Sequence, residues 1–564
     1  MPAIALKSIL ATLALSVACT ASPPSRTSKP VISDSSSEIP RQCIVEYVKG
    51  ISVARDLGNK AVKVIKSYDS ALFTGAAVVK LEKPVDSQSF GDDVRATEYS
   101  THRATGVDKL HKADVLGQGA KVGVVDTGVW YEHPALGGGF GPGFKVAGGY
   151  DFVGDVDIDR DAKQPDENPI SLPQIGHGTH VAGILAAMSD NFVGVAPNAT
   201  LYAYKAMGNG EGSDDAALID AFLRAENDGM DVITASFSSS CGWSNAAWPV
   251  VVSWVVKAGV IVTVSASNTG DNGAFSGVDA GSSPGSLAIA SVQATVAPAA
   301  PFKLTYTVNS VSSTTISGYV GDDTFPATVK DFLIVDLTTT DCEPYPAGTP
   351  NRTNVVALVS RVASCKYSSR QKWLAELGIE YALFMNDDRT IVPPGNTYPG
   401  GTLGLMTAEA GAAMKKALQD NATVTVDFLY AAGEVGVPDS TGNKPNYYSG
   451  WAATYDLQLK PDVAAPSGNV FSKGSNSTYM VQSGTSMSTP YIAGIAALYI
   501  SVFGGRKERG AEVTRDFHRR ASSSSIFIAP PVQMGSGLVD AVRTLYANTT
   551  LDETKFNLND TANF

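Results

Sequence analysis

The rhythm of apolar and polar positions changes several times along the chain. Between Lys121 and about Ala294, short continuous apolar runs alternate with segments of helical spacing. KVGVVDTG reads as a buried strand ending in a turn, HGTHVAGILAAM as a helix, and TLYAYKAM as a second strand. DDAALIDAFLRAEND places Ala217, Leu218, Ala221 and Phe222 at helical spacing, and DVITASF follows as a strand. The apolar stretch 246–266 is interrupted by Pro249, Lys257 and Gly259, so it reads as a helix, a turn at Ala258-Gly259 and a buried strand rather than a membrane span. The pattern predicts an α/β fold: a mostly parallel central sheet with helices on both faces.

At about residue 295 the alternation breaks. KLTYTVNS, TTISGYV and ATVKDFLIVDL read as strands of alternating polarity, and VVALVSR and YALFMND as further strands. SRQKWLAELG and EAGAAMKKAL read as helices. Residues 296–432 are therefore expected to be an inserted α+β domain that divides the main domain into 105–295 and 433–546. PDVAAP and QSGTSMSTPYIAGIAALY, 482–499, return to the first style, and a last helix is expected near 537–546.

Upstream, 41–100 reads as a small α/β unit: a strand CIVEYVKG, a helix ARDLGNKAVKVIKSY and a strand TGAAVVKLEK. Residues 22–40, rich in Ser, Pro and Thr, read as a disordered spacer. Residues 1–21 carry one early cation, Lys7, an apolar run from Ile9 to Val17 and then small residues, the pattern of a secretory signal peptide. Cys19 keeps a bacterial lipoprotein signal open as the alternative.

Charge narrows the partners. Lys and Arg number 43 against 55 Asp and Glu, a net charge of −12. Nucleic acid or an anionic membrane would call for a basic face, so neither is expected. The chain has N-glycosylation patterns at Asn198, Asn351, Asn421, Asn476, Asn548 and Asn559, which suit a secreted eukaryotic protein. Secretion permits disulfides, and Cys342 and Cys365, 23 residues apart in one segment, are the expected pair. Cys241 is expected to be a free buried thiol, and the pairing of Cys43 stays open.

The candidate chemistry is nucleophilic. Serine-based acyl transfer needs a hydroxyl, a base, a carboxylate to orient the base, and donors for the oxyanion. Of six histidines, only His177 and His180 lie in a Gly-rich helix start, GHGTHVAG. A zinc reading of His-x-x-His would need an intervening Glu, which is missing. Asp126 ends a buried strand, where ligands of α/β sheets gather. Ser486, in GTSMSTP, is expected at a helix N-terminus, where free N–H groups and the macrodipole favour negative charge. Ser483 and Ser488 read as turn and cap residues, and Pro490 as part of the helix's first turn. Asn268, after the strand VTVSA, is a candidate oxyanion amide. The acidic loop 151–169 could hold structural calcium, with a solvated loop as the plainer reading.

VVDTGV, GHGTHVAG and GTSMSTPYIAG, in this order, resemble the motifs of the subtilisin-like serine proteases, the subtilases. The resemblance covers most of 105–290 and 435–546. It implies Asp126 as orienting acid, His177 as base, Ser486 as nucleophile and Asn268 as oxyanion side chain, with no cofactor for the chemistry. It also implies that Ser236, Phe237, Ser238, Ala266 and Ser267 line the substrate cleft. Residues 41–84 resemble the family's inhibitory propeptide, and 296–432 its protease-associated domain. The combination is most similar to secreted fungal subtilases, and it implies a secreted, monomeric zymogen acting on proteins or peptides. The last residues, 547–564, look like the first strand of a β-sandwich found in longer members. Two places depart from the family's pattern. Phe237-Ser238-Ser239 stands where Leu-Gly-Gly is usual, and Ser267 where Gly is usual. Side chains there could narrow the specificity pocket.

Overall fold

The computed structural model describes residues 101–548 with short interruptions, the longest being 238–241, 276–279, 395–400, 429–434 and 474–478, and the backbone of three strands between Gln42 and Lys80. The chain divides into two units at Pro84. The expected signal peptide, spacer and C-terminal strand, with Cys241, Ser238, Asn351, Asn476 and Asn559, lie outside the described residues.

The first unit contains β1 (Gln42–Glu46), β2 (Val62–Asp69) and β3 (Thr74–Lys80) in an antiparallel sheet of order β1-β3-β2. The helix expected over 54–68 is corrected here, because its second half is β2. Val62, Val64 and Ile65 are β-branched and lose little rotamer freedom on a pleated strand. The pairing of β2 with β3 has a register shift between Val64 and Lys66.

The second unit opens with β4 (Lys121–Asp126), β5 (Val146–Asp151), β6 (Thr200–Lys205), β7 (Val232–Ala235), β8 (Ile261–Ser265) and β9 (Leu287–Gln293). An insertion follows with β10 (Val296–Val308), β11 (Val311–Val320), β12 (Lys330–Asp336), β13 (Val355–Ser360), β14 (Tyr381–Met385), β15 (Thr402–Met406), β16 (Thr423–Phe428) and β17 (Val435–Pro438). The chain then returns through β18 (Val463–Gly468), β19 (Val470–Lys473) and β20 (Tyr479–Gln482). The main sheet is wholly parallel, in the order β18-β9-β8-β7-β4-β6-β5.

Alternation along each strand decides which helices cover which face. Val122, Val124, Val232 and Ile261 face one core, shared with the helices His177–Ala186 and Thr485–Phe503. Val125, Ile233, Val262 and Val264 face the other, shared with Asp215–Asn227 and Ala247–Lys257. The helix Thr485–Phe503 is long and apolar enough to cross a membrane, yet most of it is buried inside this unit. Gly494 explains its close fit, since a Cβ there would meet the Val195 side chain at 2.5 Å.

The insertion begins where the rhythm of the sequence breaks. Its ends close on each other, Val296–Ala299 of β10 pairing antiparallel with Val435–Pro438 of β17. Between them, β11-β15-β14-β13-β12-β16-β10 form a mixed sheet that closes through pairing of β10 with β11. Closure leaves no sheet edge among these strands. The helices Tyr367–Glu376 and Ala408–Gln419 flank it, and a bond joins Cys342 to Cys365 with Cα atoms 5.1 Å apart.

Candidate active site

The site is assembled at the carboxyl ends of β4, β7 and β8, neighbours in the sheet. β4 is also where the strand order reverses, the position at which parallel α/β sheets open a crevice. Asp126 is the last residue of β4 and is fully buried. Its Oδ1 lies 2.7 Å from Nδ1 of His177 and accepts the Thr127 N–H at 2.8 Å. Its Oδ2 is buried with no hydrogen-bond partner among the described residues. His177 opens its helix and keeps 18% of its side chain exposed. Nδ1 faces the carboxylate, so Nε2 lies on the other side of the imidazole ring.

The glycines around His177 have separable reasons. A Cβ on Gly178 would come within 2.1 Å of the Gly128 carbonyl and 3.0 Å of Asp126 Oδ1, so only Gly lets the helix start against β4. The Gly178 N–H donates to Thr127 Oγ1 at 3.0 Å, and the Trp130 N–H to Thr179 Oγ1 at 2.9 Å. These bonds stitch the two motifs together.

Ser486 is the second residue of its helix, which begins at Thr485 and not near Pro490 as expected. Pro490 is corrected to an interior position, four residues beyond Ser486. Proline has no N–H to return to the carbonyl four residues back. The carbonyl thereby released belongs to Ser486, and it accepts the Ser236 hydroxyl at 2.9 Å. Reciprocally, the Ser486 hydroxyl donates to the Ser236 carbonyl at 2.8 Å. The two serines thus clasp the end of β7 to the start of the helix. The N–H of Ser486 is among the first four of the helix, which have no intrahelical acceptor.

Asn268 lies three residues past β8, and its Oδ1 accepts both the N–H and the hydroxyl of Thr485, at 2.8 and 2.9 Å. Its acceptor end is thereby committed, leaving the Nδ2 group as the donor end. A Cβ on Gly484 would sit 3.1 Å from that nitrogen, so Gly484 keeps the approach open. Ser267 adopts φ 80°, a left-handed conformation that glycine takes freely and serine at a cost of roughly 1–2 kcal/mol. Its hydroxyl lies 2.7 Å from Thr269 Oγ1, and its carbonyl accepts the Gly450 N–H at 2.9 Å.

The other candidates fall as follows. The Ser236 side chain is 1% exposed and braces the Ser486 carbonyl. The Phe237 ring stacks on Trp248, centroids 5.3 Å apart and 10° from coplanar. Ala266 is buried, its N–H donating to the Ile289 carbonyl. Ser483 donates to Asn469 Oδ1, between β18 and β19, at 3.5 Å, and Ser488 back-bonds to the Thr485 carbonyl at 2.9 Å. Asn198, Asn421 and Asn548 are exposed. In the acidic loop, buried Lys205 pairs with Asp151 at 3.0 Å and with Asp155, while Arg160 pairs with Asp157 at 2.7 Å.

The sequence model of the subtilase family matches residues 117–532. That span holds both motif blocks and the insertion. The chain belongs to the subtilase family. Among similar subtilases, the minor extracellular protease Vpr of Bacillus subtilis is 32% identical over 395 residues, covering 68% of this chain and 46% of the relative. Subtilisin E of the same organism is 31% identical over 235 residues, 40% of this chain and 56% of that protein. A PII-type proteinase of Lacticaseibacillus paracasei is 26% identical over 417 residues, 64% of this chain and 22% of the relative. The matches to the first two span about half of each relative's length.

Proposed function

We propose that this subtilase is a secreted serine endopeptidase whose nucleophile is Ser486. His177 takes the Ser486 proton as Oγ attacks a peptide carbonyl, then returns it to the departing amine. Asp126 holds the imidazole in the required tautomer. Asn268 Nδ2 and the Ser486 N–H receive the charge of the tetrahedral intermediate. Water then enters, passes a proton to His177 and releases the acyl group. Attack requires the Ser486 hydroxyl to turn from the Ser236 carbonyl toward Nε2 of His177, a rotation about one side-chain bond. No cofactor takes part in this chemistry.

The observation that carries the proposal is the 2.7 Å contact of a fully buried carboxylate with His177, beside a helix start that presents Ser486 and engages Asn268. The same proposal includes a protease-associated role for 296–432, an inhibitory propeptide in 41–100, cleavage of the signal near residue 21 and glycosylation of the exposed sequons, as in secreted fungal subtilases. The mature form acts as a monomer on protein or peptide substrates.

A fluorophosphonate probe tests the chemistry. The processed secreted protein is expected to be labelled on Ser486, and Ser486→Ala to abolish both labelling and peptide hydrolysis. A processed wild type that resists labelling refutes the nucleophile. Mass spectrometry of the secreted N-terminus tests processing: a mature end near residue 100 is expected, and a fully active protein that retains Cys43 refutes the inhibitory segment.

A further inference from the structure

The short segment from Ser467 to Ser472 touches three parts of the second unit at once. Toward the nucleophile, the Ser467 hydroxyl donates to the Gly484 carbonyl at 2.7 Å, and the Gly484 N–H returns to the Ser467 carbonyl at 3.2 Å. The Asn469 N–H donates to Ser483 Oγ at 2.8 Å. Ser483 and Gly484 directly precede the turn that carries Ser486. Toward the base, His180 donates from Nε2 to the Val470 carbonyl at 3.1 Å, and the Ser472 hydroxyl donates to the His180 carbonyl at 2.8 Å. His180 lies three residues, about one helical turn, after His177.

The third direction leads into the insertion. Asn469 is 1% exposed and donates from Nδ2 to the carbonyl of Ile391 at 2.8 Å. Ile391 belongs to the apolar core of the insertion, and its N–H donates to Asp439 Oδ2 at 3.2 Å. The same carboxylate oxygen receives Gln293 Nε2 at 2.8 Å, from the end of β9. On the far side, Arg361 Nη1 donates to Asn386 Oδ1 and to the Thr390 carbonyl, each at 2.7 Å. Asn469 itself has φ 55°, which asparagine tolerates better than most residues.

We infer that Asn469 is a positioning residue through which the insertion sets the spacing of nucleophile and base. The inference rests on the assignment of Ser486 and His177 above. Its physical basis is the absence of slack: the Asn469 amide has one acceptor in the insertion, its backbone has another beside the nucleophile turn, and the next residue's carbonyl holds the base helix. Asn469, Ile391, Val470 and His180 are buried, so water cannot substitute on those two sides when a partner moves, whereas Ser483 is exposed. A shift of Ile391 is thereby passed to Ser486 and His177 together. Anything that binds or strains the insertion near Ile391 would change turnover more than substrate affinity.

The test uses the processed full chain. Asn469→Gly removes the side chain while keeping the left-handed backbone accessible. Displacing catalytic groups from outside the reacting centre costs up to about a hundredfold in rate. Asn469→Gly is expected to lower kcat by about ten- to a hundredfold with KM within about twofold, and to slow fluorophosphonate labelling of Ser486 in proportion. Arg361→Ala, placed wholly in the insertion, should lower kcat and labelling in the same direction. The double variant should lose less than the product of the two, because both act through one chain of contacts. Should Asn469→Gly fail to fold, Arg361→Ala decides alone. A folded Arg361→Ala enzyme with unchanged kcat and labelling overturns the inference, as does a folded Asn469→Gly enzyme that turns over normally. Failure of the wild type to be labelled refutes the Ser486 assignment instead, so the two failures are distinct.

Discussion

Replacement of Ser236 by alanine tests the clasp between β7 and the nucleophile helix. In the native structure the buried Ser486 carbonyl, deprived of an intrahelical donor by Pro490, accepts the Ser236 hydroxyl at 2.9 Å. Ser236→Ala leaves that carbonyl without its donor, which costs roughly 1–3 kcal/mol for a buried polar group. The reciprocal bond, from the Ser486 hydroxyl to the Ser236 carbonyl, uses backbone on the Ser236 side and survives the change. Pro490→Ala supplies an N–H that can reach the Ser486 carbonyl in the ordinary helical manner. In that background the Ser236 hydroxyl becomes a second donor, and its loss is expected to cost under about 1 kcal/mol. A coupling of about 1 kcal/mol or more between the two substitutions follows, well above the roughly 0.3–0.5 kcal/mol by which independent sites depart from additivity. All four proteins are best made with Ser486→Ala, which prevents self-digestion, keeps the carbonyl and removes the reciprocal bond from all four alike, so that it cancels in the cycle. Urea unfolding followed by the fluorescence of Trp248, which is buried beneath the sheet, reads the stability of this unit. Equal losses for Ser236→Ala in the Pro490 and Ala backgrounds would refute the clasp.

Three further outcomes are expected. Asn268→Asp keeps an oxygen to accept from Thr485 but has no Nδ2 donor, so kcat should fall by about 10²–10³, the loss known for subtilisin's own oxyanion amide and not calculated from this geometry, while Tm stays near that of the wild type. Asn268→Leu should lose the same activity and also about 1 kcal/mol of stability with the helix-start contact, and a Tm equal to that of Asn268→Asp would contradict this. Ser267→Gly, relieving a left-handed serine, should keep kcat within about threefold, whereas Ser267→Val should lose activity and roughly 1–3 kcal/mol; a fully active valine variant would show that φ 80° is not required at this position. His102 is held far below its ordinary pKa, at about 3, by burial and then by the neighbouring His111, against a hydrogen bond that it donates to the Val193 carbonyl, which raises it. Here the unfolded chain binds the proton first: stability is full above pH about 6.5 and is lost as pH falls from about 6.5 to about 3, by roughly 4–5 kcal/mol in all. His102→Gln should flatten the fall of Tm with acidity, and an unchanged slope would exclude His102 as its source.

The parallel sheet was legible because its strands are buried on both faces, so VVD, VITA and IVTVS read as unbroken apolar runs between helical periods. The insertion announced itself by the change to alternating polarity at β10. β5 was not legible, since VAGGYD carries two glycines and little apolar signal. The expected helix over Ala54–Tyr68 failed because a run of lysines and valines satisfies a helical count and a strand alternation equally well, and tertiary pairing with β3 decides between them. Asp126, His177, Asn268 and Ser486 could be singled out because each sits in a short motif, and the structure brings Asp126 to His177 and Asn268 to the start of the helix that carries Ser486.

What the sequence hid was the support of those four residues, and the reason is specific. The resemblance of SFSSS to the family's pattern points to a cleft role for Ser236 and not to the bond that its hydroxyl makes to the Ser486 carbonyl. That bond depends on a donor missing 254 residues later, at Pro490, and no local pattern shows which carbonyl a proline will leave open. Pro490 itself reads as a helix start, because proline is favoured there; its interior position is tolerated because a hydroxyl from another strand replaces the missing N–H. Ser483 reads as a plain turn residue, but its partner Asn469 bonds across to the insertion. In each case the supporting bond ends on a backbone carbonyl or N–H. Such partners carry no residue identity, so they leave no mark in the sequence even when the geometry depends on them.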